Sequence, residues 1–463
     1  MSTFDVMLST AGLGDGERRE ASRLVSRLGD FERGNVLRNQ YEDGKNAVTA
    51  GFSIPPQMRN MVTVLGWPAK AVDVLAQRVR MDRVTAVDAD FGSLGLDGLL
   101  DANRWFAEAR MGEYSAIKHG VSWEVVTRGV EGEPSVVVSH LSALNGTGSW
   151  NRRTRRLDSF VSVIRRDDTG LPVDYNLYLP GVTVLVQDGR VVDRQGHHLW
   201  VPVEPVTYRA SLDKPFGRSR ITRPVMRLTD GAIRTVLRSE TSAEFNTTPQ
   251  RYALGAEAED FPADSWRAVV GRLLVLPDDD EVDEMSPNAR RSLGQFPQVS
   301  QLPHLEQLKI YSQLFAGETA VPVASLGFNM DANPTSADAY AASREDIISE
   351  AEDSQDEFGW SHARTLRRVV ALRDGVSEDV VPRVRCVWRD PRHLSRSAAA
   401  DAFAKLMPAL PWLADEPEAL SMLNLDPSTT AVLQAALRRS KSTRALEGLL
   451  SAGSGEDAAT GGE

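Results

Sequence analysis

Residues 305–359 read LEQLKIYSQLFAGETAVPVASLGFNMDANPTSADAYAASREDIISEAEDSQDEFG. The pattern is helical from His304 to Phe315, breaks into a loop rich in Gly, Pro and Asn from Gly317 to Pro334, and resumes as one helix from Ser336 to about Arg373. Gly, Pro and Asn interrupt a helix because they favour turn geometry or lack a backbone donor. At ~1.5 Å per residue the second helix would be roughly 55 Å long, with Gly359 as its expected bending point. Its charges are sorted. Glu345, Asp346, Glu350, Glu352, Asp353, Asp356 and Glu357 come first, and Arg364, Arg367, Arg368 and Arg373 come last, the order that the helix macrodipole favours.

Working outward, a second helix is expected after Thr222, a suitable N-cap, with Pro224 in the first turn where a missing N–H costs little. At ~100° per residue, Ile221, Val225, Leu228, Ala232 and Val236 share one face, while Arg223, Arg227, Arg234 and Arg238 form a basic stripe opposite. Asn246 to Pro303 behaves as an insertion between two helices. It contains the strand-like GRLLVLP, the acidic run DDDEVDE at 278–284 and a Pro-rich exit, QFPQVSQLP. Upstream the period is two: GVSWEVVTRG, SVVVSHL, LDSFVSVIRR, VDYNLYL and VTVLVQ predict an antiparallel meander ending near Trp200, with turns at DDTG (167–170) and QDGR (187–190).

From Gly14 to about Arg110 the pattern is mainly helical. Trp67 to Arg80 would place Ala71, Val74, Leu75 and Val79 on one face, and this half is expected to dock against other helices. After the long helix come a strand-like VPRVRCVWRD, a helical region from Ser397 to Leu450 and the tail SAGSGEDAATGGE, disordered by composition.

The chain has 463 residues and a formal net charge of −11. Its length suggests two or more packed units, and its acidity argues against gripping nucleic acid over the whole surface. A single cysteine, Cys386, excludes an internal disulfide and a cysteine zinc cage; in its strand-like setting it reads as an inert buried thiol. The only Gly-Lys pair, Gly44-Lys45, lacks the rest of a phosphate-binding loop; HExxH and GxSxG are absent, and the adjacent His197 and His198 cannot share a helical face. The other histidines have no ligand-like neighbours in sequence. No catalytic residue, metal or cofactor is expected, and the chain reads as a cytoplasmic, non-membrane product with neither signal peptide nor spanning segment. The rival enzyme reading is a Mg²⁺-dependent nuclease using the 278–284 carboxylates. A solvated loop is favoured, since two-metal sites draw ligands from separate rigid elements.

Four stretches in order resemble siphovirus-type phage portal proteins: RNQYEDGK (38–45) with NMVTVLGWPAKAVDVLAQRV (60–79), VPVEPVTYRASLDKPFGRSRI (201–221), EFNTTPQRYALG, and the 305–359 segment with its NPTSADA helix start and Q-x-x-FG bend. They lie within residues 38–375, and the most specific is the last. The resemblance implies an α+β portal fold with long stem and spine helices, a β-rich antiparallel wing and a helical C-terminal crown. On its mapping, 1–221 is wing, 222–245 the first stem helix, 246–302 the clip, 303–316 the second stem helix, 317–335 the tunnel loop, 336–374 the spine, 375–396 a wing return strand, 397–452 the crown and 453–463 the tail.

The same resemblance implies a dodecameric ring in the virion, at the capsid vertex, assembled in the host bacterial cytoplasm, through which double-stranded DNA is packaged and ejected. Its partners would be the large terminase, a head-tail adaptor, and major capsid and scaffolding proteins, with no membrane and no catalysis. A scaffold or adaptor without a pore is the other rival. The tunnel loop residues Gly327, Phe328, Asn329, Met330, Asp331, Ala332 and Asn333 carry no lysine or arginine, so they would touch DNA weakly and without specificity. Asp278, Asp279, Asp280, Glu281, Asp283 and Glu284 would lie on the clip, for partner docking or DNA repulsion. The arginine stripe has three readings: a solvated face, ion pairs to a neighbouring subunit, or phosphate contact. Arg152, Arg153, Arg155 and Arg156, placed before the meander, read as an exposed basic loop.

Overall fold

The computed structural model describes residues 10–48, 63–87, 89–247, 251–254, 273–276, 292–295, 297, 300–328, 344–392, 396–415, 417–423, 425, 429–430, 432–437 and 439–443. The N-terminal region begins with helix α1 (Asp15–Glu42), whose first turn is closed by Glu17 Oε2 accepting from the Gly14 N–H at 2.9 Å. Helix α2 (Trp67–Ala76) follows, then strand β1 (Met81–Ala86), helix α3 (Asp97–Ala102) and helix α4 (Trp105–His119). Two expectations are corrected here. The helix beginning at Trp67 stops at Ala76, and MDRVTA is a strand paired antiparallel with β13 (Val384–Trp388), three hundred positions along the chain by the Thr85–Arg385 register. The period of β1 is weak because only Val84 is buried.

The expected docking of this half onto helices is met by α2, whose Trp67, Ala71, Val72 and Leu75 share one core with Ile117, Val225, Phe315 and Ile347 of other helices, whereas α1 packs on a sheet. Ala21, Leu24 and Val25 of α1 pack against Val161, Tyr175, Leu177, Val184 and Val186, so α1 covers the apolar face of a sheet. That sheet is an antiparallel meander of β4 (Gly146–Asn151), β5 (Arg156–Arg166), β6 (Pro172–Leu179), β7 (Val182–Gln187) and β8 (Arg190–Gly196), in that spatial order. DDTG and QDGR form turns as expected, and Asp167 Oδ1 accepts from the N–H groups of Thr169 and Leu171 at 2.9 Å each. Sequence reading missed β4 and β8, whose compositions, GTGSWN and the largely exposed RVVDRQG, carry little apolar alternation. The basic cluster therefore lies inside the meander, at the β4–β5 turn; Arg152, Arg153 and Arg155 are exposed, while Arg156 opens β5.

A second sheet has the order β3-β2-β9, formed by β2 (Val121–Arg128), β3 (Val136–Ser142) and β9 (Val203–Thr207), all antiparallel. Val121–Val126 are buried without alternation, because β2 is the central strand and is covered on both faces. Helix α5 (Arg223–Thr247) and helix α6 (Leu302–Thr319) then pack side by side, separated in sequence by a small sheet of β10 (Arg251–Leu254), β11 (Leu273–Leu276) and β12 (Ser292–Gln295), of which only β11 was expected.

Helix α7 (Glu345–Asp374) is the centre of the molecule. Its 30 residues correspond to ~45 Å, and it packs on β2, β3, β9 and β13. It runs unbroken through Gly359, where a Cβ would meet Trp388 Nε1 at 3.1 Å; this position serves a close approach to β13. The stretch 329–343, expected as loop end and helix start, lies outside the described residues. Helix α8 (Arg396–Leu406) and short 3-10 turns at Pro411–Asp415 and Pro417–Leu423 follow. Among the described residues no helix is long and apolar enough to cross a membrane.

Candidate functional site

The segment that delivers the chain into α5 is Gly217-Arg218-Ser219-Arg220-Ile221. Gly217 has φ +71°, and a Cβ there would lie 2.3 Å from Tyr208 O and 2.4 Å from Gly120 O, so only glycine fits. Ser219 Oγ donates to Lys118 O at 2.5 Å and accepts from the Ile221 N–H at 3.0 Å, which ties the segment before α5 to the end of α4. Thr222 Oγ1 then accepts from the Val225 N–H at 3.3 Å, as an N-cap should.

Arg220 is buried and joins three helices and the bend that follows β9. Its Nε donates to Ala71 O of α2 at 2.7 Å, Nη1 to Tyr208 Oη at 3.0 Å, and Nη2 to Thr319 O, the end of α6, at 2.5 Å. Nη1 also pairs with Glu350 of α7, which accepts from Tyr208 Oη as well. Burial would lower the guanidinium's affinity for its proton, but Tyr208 and Glu350 outweigh it and raise it. Burial likewise pushes the Tyr208 phenol up. A planar five-donor head is the side chain able to satisfy this many acceptors at once. The consequence is positional: the start of α5, the end of α6 and the first turns of α7 are held at one point.

Beyond that point α5 and α6 lie close. A Cβ on Gly231 of α5 would meet Tyr311 Cε1 of α6 at 2.7 Å, so the ring occupies the space a side chain would need. The predicted apolar face is only partly the observed one: Ile221, Val225 and Ala232 are buried, but Leu228 and Val236 are half-buried, and Ile233 and Leu237 complete the face. The four arginines are not equivalent. Arg223 and Arg227 are exposed, whereas Arg234 and Arg238 are half-buried. Arg227 lies 3.7 Å from Asp230, whose carboxylate accepts from Tyr41 Oη at 2.9 Å and Asn46 Nδ2 at 3.3 Å. Burial and Asp230 push the Tyr41 phenol up to about 12.

Leaving α6, the chain turns through Ala320 at φ +52° and Gly327 at φ +92°. Gly327 is exposed, and Phe328 is half-buried with its ring against the main core. Asn329, Met330, Asp331, Ala332 and Asn333 lie outside the described residues, as do Asp278, Asp279, Asp280, Glu281, Asp283 and Glu284.

Sequence reading missed a buried cluster of Glu113 (α4), Glu124 (β2), His140 (β3) and His362 (α7). His362 Nδ1 lies 2.6 Å from Glu124 Oε1 and Nε2 3.0 Å from Glu113 Oε1, while His140 Nε2 is 2.9 Å from Glu124 Oε1. His140 and His362, which lack partners in sequence, are thus each given a carboxylate by the fold. Burial alone would lower His362, but Glu124 and Glu113 raise it to about 10. Trp105 packs against both imidazoles, with centroids 5.5 and 5.7 Å away. A second buried set joins Glu204 of β9 to Arg364 and Arg368 of α7, each at 2.8 Å. The only sequence signal for either set was a charged residue inside an apolar run, as in SWEVV. Among the described residues no group of three or more His, Cys, Asp or Glu is arranged to hold a metal ion. Cys386 is buried, and burial pushes its thiol up. These charges bind elements to one another; their arrangement is that of rivets.

No family model matches the chain. Over 388 residues it is 27% identical to a portal protein of Mycobacterium phage D29, covering 79% of this chain and 77% of that protein. Over 406 residues it is 26% identical to a portal protein of Mycobacterium phage L5, covering 83% of this chain and 80% of that one. A chain from the neck of an empty GTA (gene transfer agent) particle has a TM-score of 0.44 at 12% identity, covering 85% of this chain and 94% of its own length.

Proposed function

We infer that the chain belongs to the phage portal proteins and acts as a portal at the capsid vertex, a structural conduit for the genome. One observation carries the reading: the sequence match to two portal proteins extends over about four fifths of the chain and not over a single motif. The arrangement of rivets supports a structural role, because the buried charges of the His362 and Glu204 sets are matched by opposite charges from other elements.

On this reading copies of the chain stand in a ring, with α5 and α6 as the stem, the segment from Ala320 onward as the tunnel loop, α7 as the spine and the β4–β8 sheet as the wing. Twelve copies is the number that the resemblance implies. DNA passes through weakly held, since each phosphate neutralised by a fixed cation must be released again before the next step. The 327–333 segment suits that requirement, having no Lys or Arg. The residues between α5 and α6, with their acidic run, face the packaging ATPase and later the adaptor. The test is electron microscopy of the purified full chain. End-on rings with a central hole are expected; a uniform population of compact monomers would remove the reading.

A further inference from the structure

We propose that the solvent-facing stripe of α7 formed by Asp346, Asp353, Asp356 and Trp360 is one half of the contact between neighbouring copies, the other half being Arg218, Arg223 and Arg227 at the start of α5. The proposal rests on the portal reading and adds to it which two surfaces meet. At ~100° per residue the four α7 residues fall within one narrow sector of the helix, and all are exposed. The flanking Glu345 and Glu352 already face Arg392, at 3.9 and 3.4 Å. Asp346, Asp353 and Asp356 make no ion pair among the described residues.

Trp360 is 74% exposed at the end of this stripe, the most exposed aromatic side chain among the described residues. Leaving an indole in water costs the transfer energy of a large apolar surface, and exposed tryptophan is the side chain most enriched at interface centres. Beside three carboxylates it suits one chemistry, the guanidinium, which pairs with carboxylates and stacks on indole faces. Asp346 and Asp353 also line a cleft of 430 Å³ with Ser349, Glu350, Glu357 and Arg209, in which Arg209 already reaches Glu350 at 3.3 Å.

The chain presents matching donors elsewhere. Arg218, Arg223 and Arg227 are exposed, and none is paired with the α7 stripe within one copy among the described residues. Rotation about a ring axis preserves height, so in a closed ring only groups at equal height can meet across a subunit boundary. The Arg220–Glu350 ion pair holds the start of α5 beside the first turns of α7, which bounds how far apart in height these two segments can lie. A heterologous ring needs two different complementary faces on each copy, and these are such a pair.

The experiment is reciprocal charge reversal in the full chain, scored by native mass spectrometry and ring counts in micrographs. Arg218→Glu with Arg223→Glu, and separately Asp353→Lys with Asp356→Lys, are each expected to cut the ring fraction about tenfold, and the combined four-site variant to restore at least about half of it. Trp360→Ala should also lower ring yield. All five positions are exposed, so circular dichroism and melting of the monomer should not change, which separates lost assembly from lost folding. Rings that persist in either reversed variant, or fail to return in the combined one, overturn the pairing. Intact rings that merely retain less duplex in the arginine variant overturn it in favour of phosphate contact. If the wild-type chain forms no rings, the portal reading itself falls, a result distinct from either.

Discussion

His362 shows how much a single residue can hold. Its two ring nitrogens face carboxylates from two different elements, and its ring lies against Trp105 of α4 and Trp388 of β13. Removing the cation leaves Glu113 and Glu124 buried without it. His362→Leu is therefore expected to cost on the order of 3–5 kcal/mol in chemical denaturation. The folded imidazole is raised to about 10, above its ordinary value of ~6.5. Its contribution is full below that ordinary value and is lost as pH rises through about 10. Urea melts across this range should show the stability difference between wild type and His362→Gln shrinking toward alkaline pH. A constant difference would mean that the imidazole is neutral in the folded state.

Two elements of this molecule approach their neighbours at glycines. Gly231 admits the Tyr311 ring between α5 and α6, and there is no slack: a Cβ would lie 2.7 Å from the ring. Gly231→Ala should destabilise by about 1–3 kcal/mol through overpacking. Calorimetry of the double variant with Tyr311→Ala should show less loss than the sum of the two singles, because the second change removes the atoms the first one strikes. Additive losses would place the cost in helix backbone and not at this contact. Gly359 plays the same part between α7 and Trp388, which is why a residue expected to bend the long helix leaves it unbroken.

For the whole molecule the controlling quantity is the distribution of charge. The net charge is −11, and while buried carboxylates such as Glu204, Glu350 and Glu124 join elements, others such as Asp346, Asp353 and Asp356 stay exposed. An assembled ring is therefore expected to hold duplex feebly. Filter binding between 50 and 200 mM salt should change the affinity by less than roughly tenfold, against the thousandfold or more of a protein that neutralises many phosphates. A loss of roughly a thousandfold would sink the idea of a weakly gripping channel.

The strands β2, β3, β5, β6 and β7, though not their division between two sheets, the helix capped by Thr222, the long acidic-to-basic helix and the buried Cys386 were legible in sequence, because each depends on spacing between near neighbours. The pairing of MDRVTA with VRCVW, the covering of a sheet by α1 and the fourfold grip of Arg220 were not, since every one joins positions that only the folded chain brings together. Local periodicity is set by backbone geometry and survives in any short window. A buried charge is tolerable only when its partner arrives from elsewhere, so in sequence it looks like an interruption, and tertiary packing alone decides whether it is a flaw or a rivet.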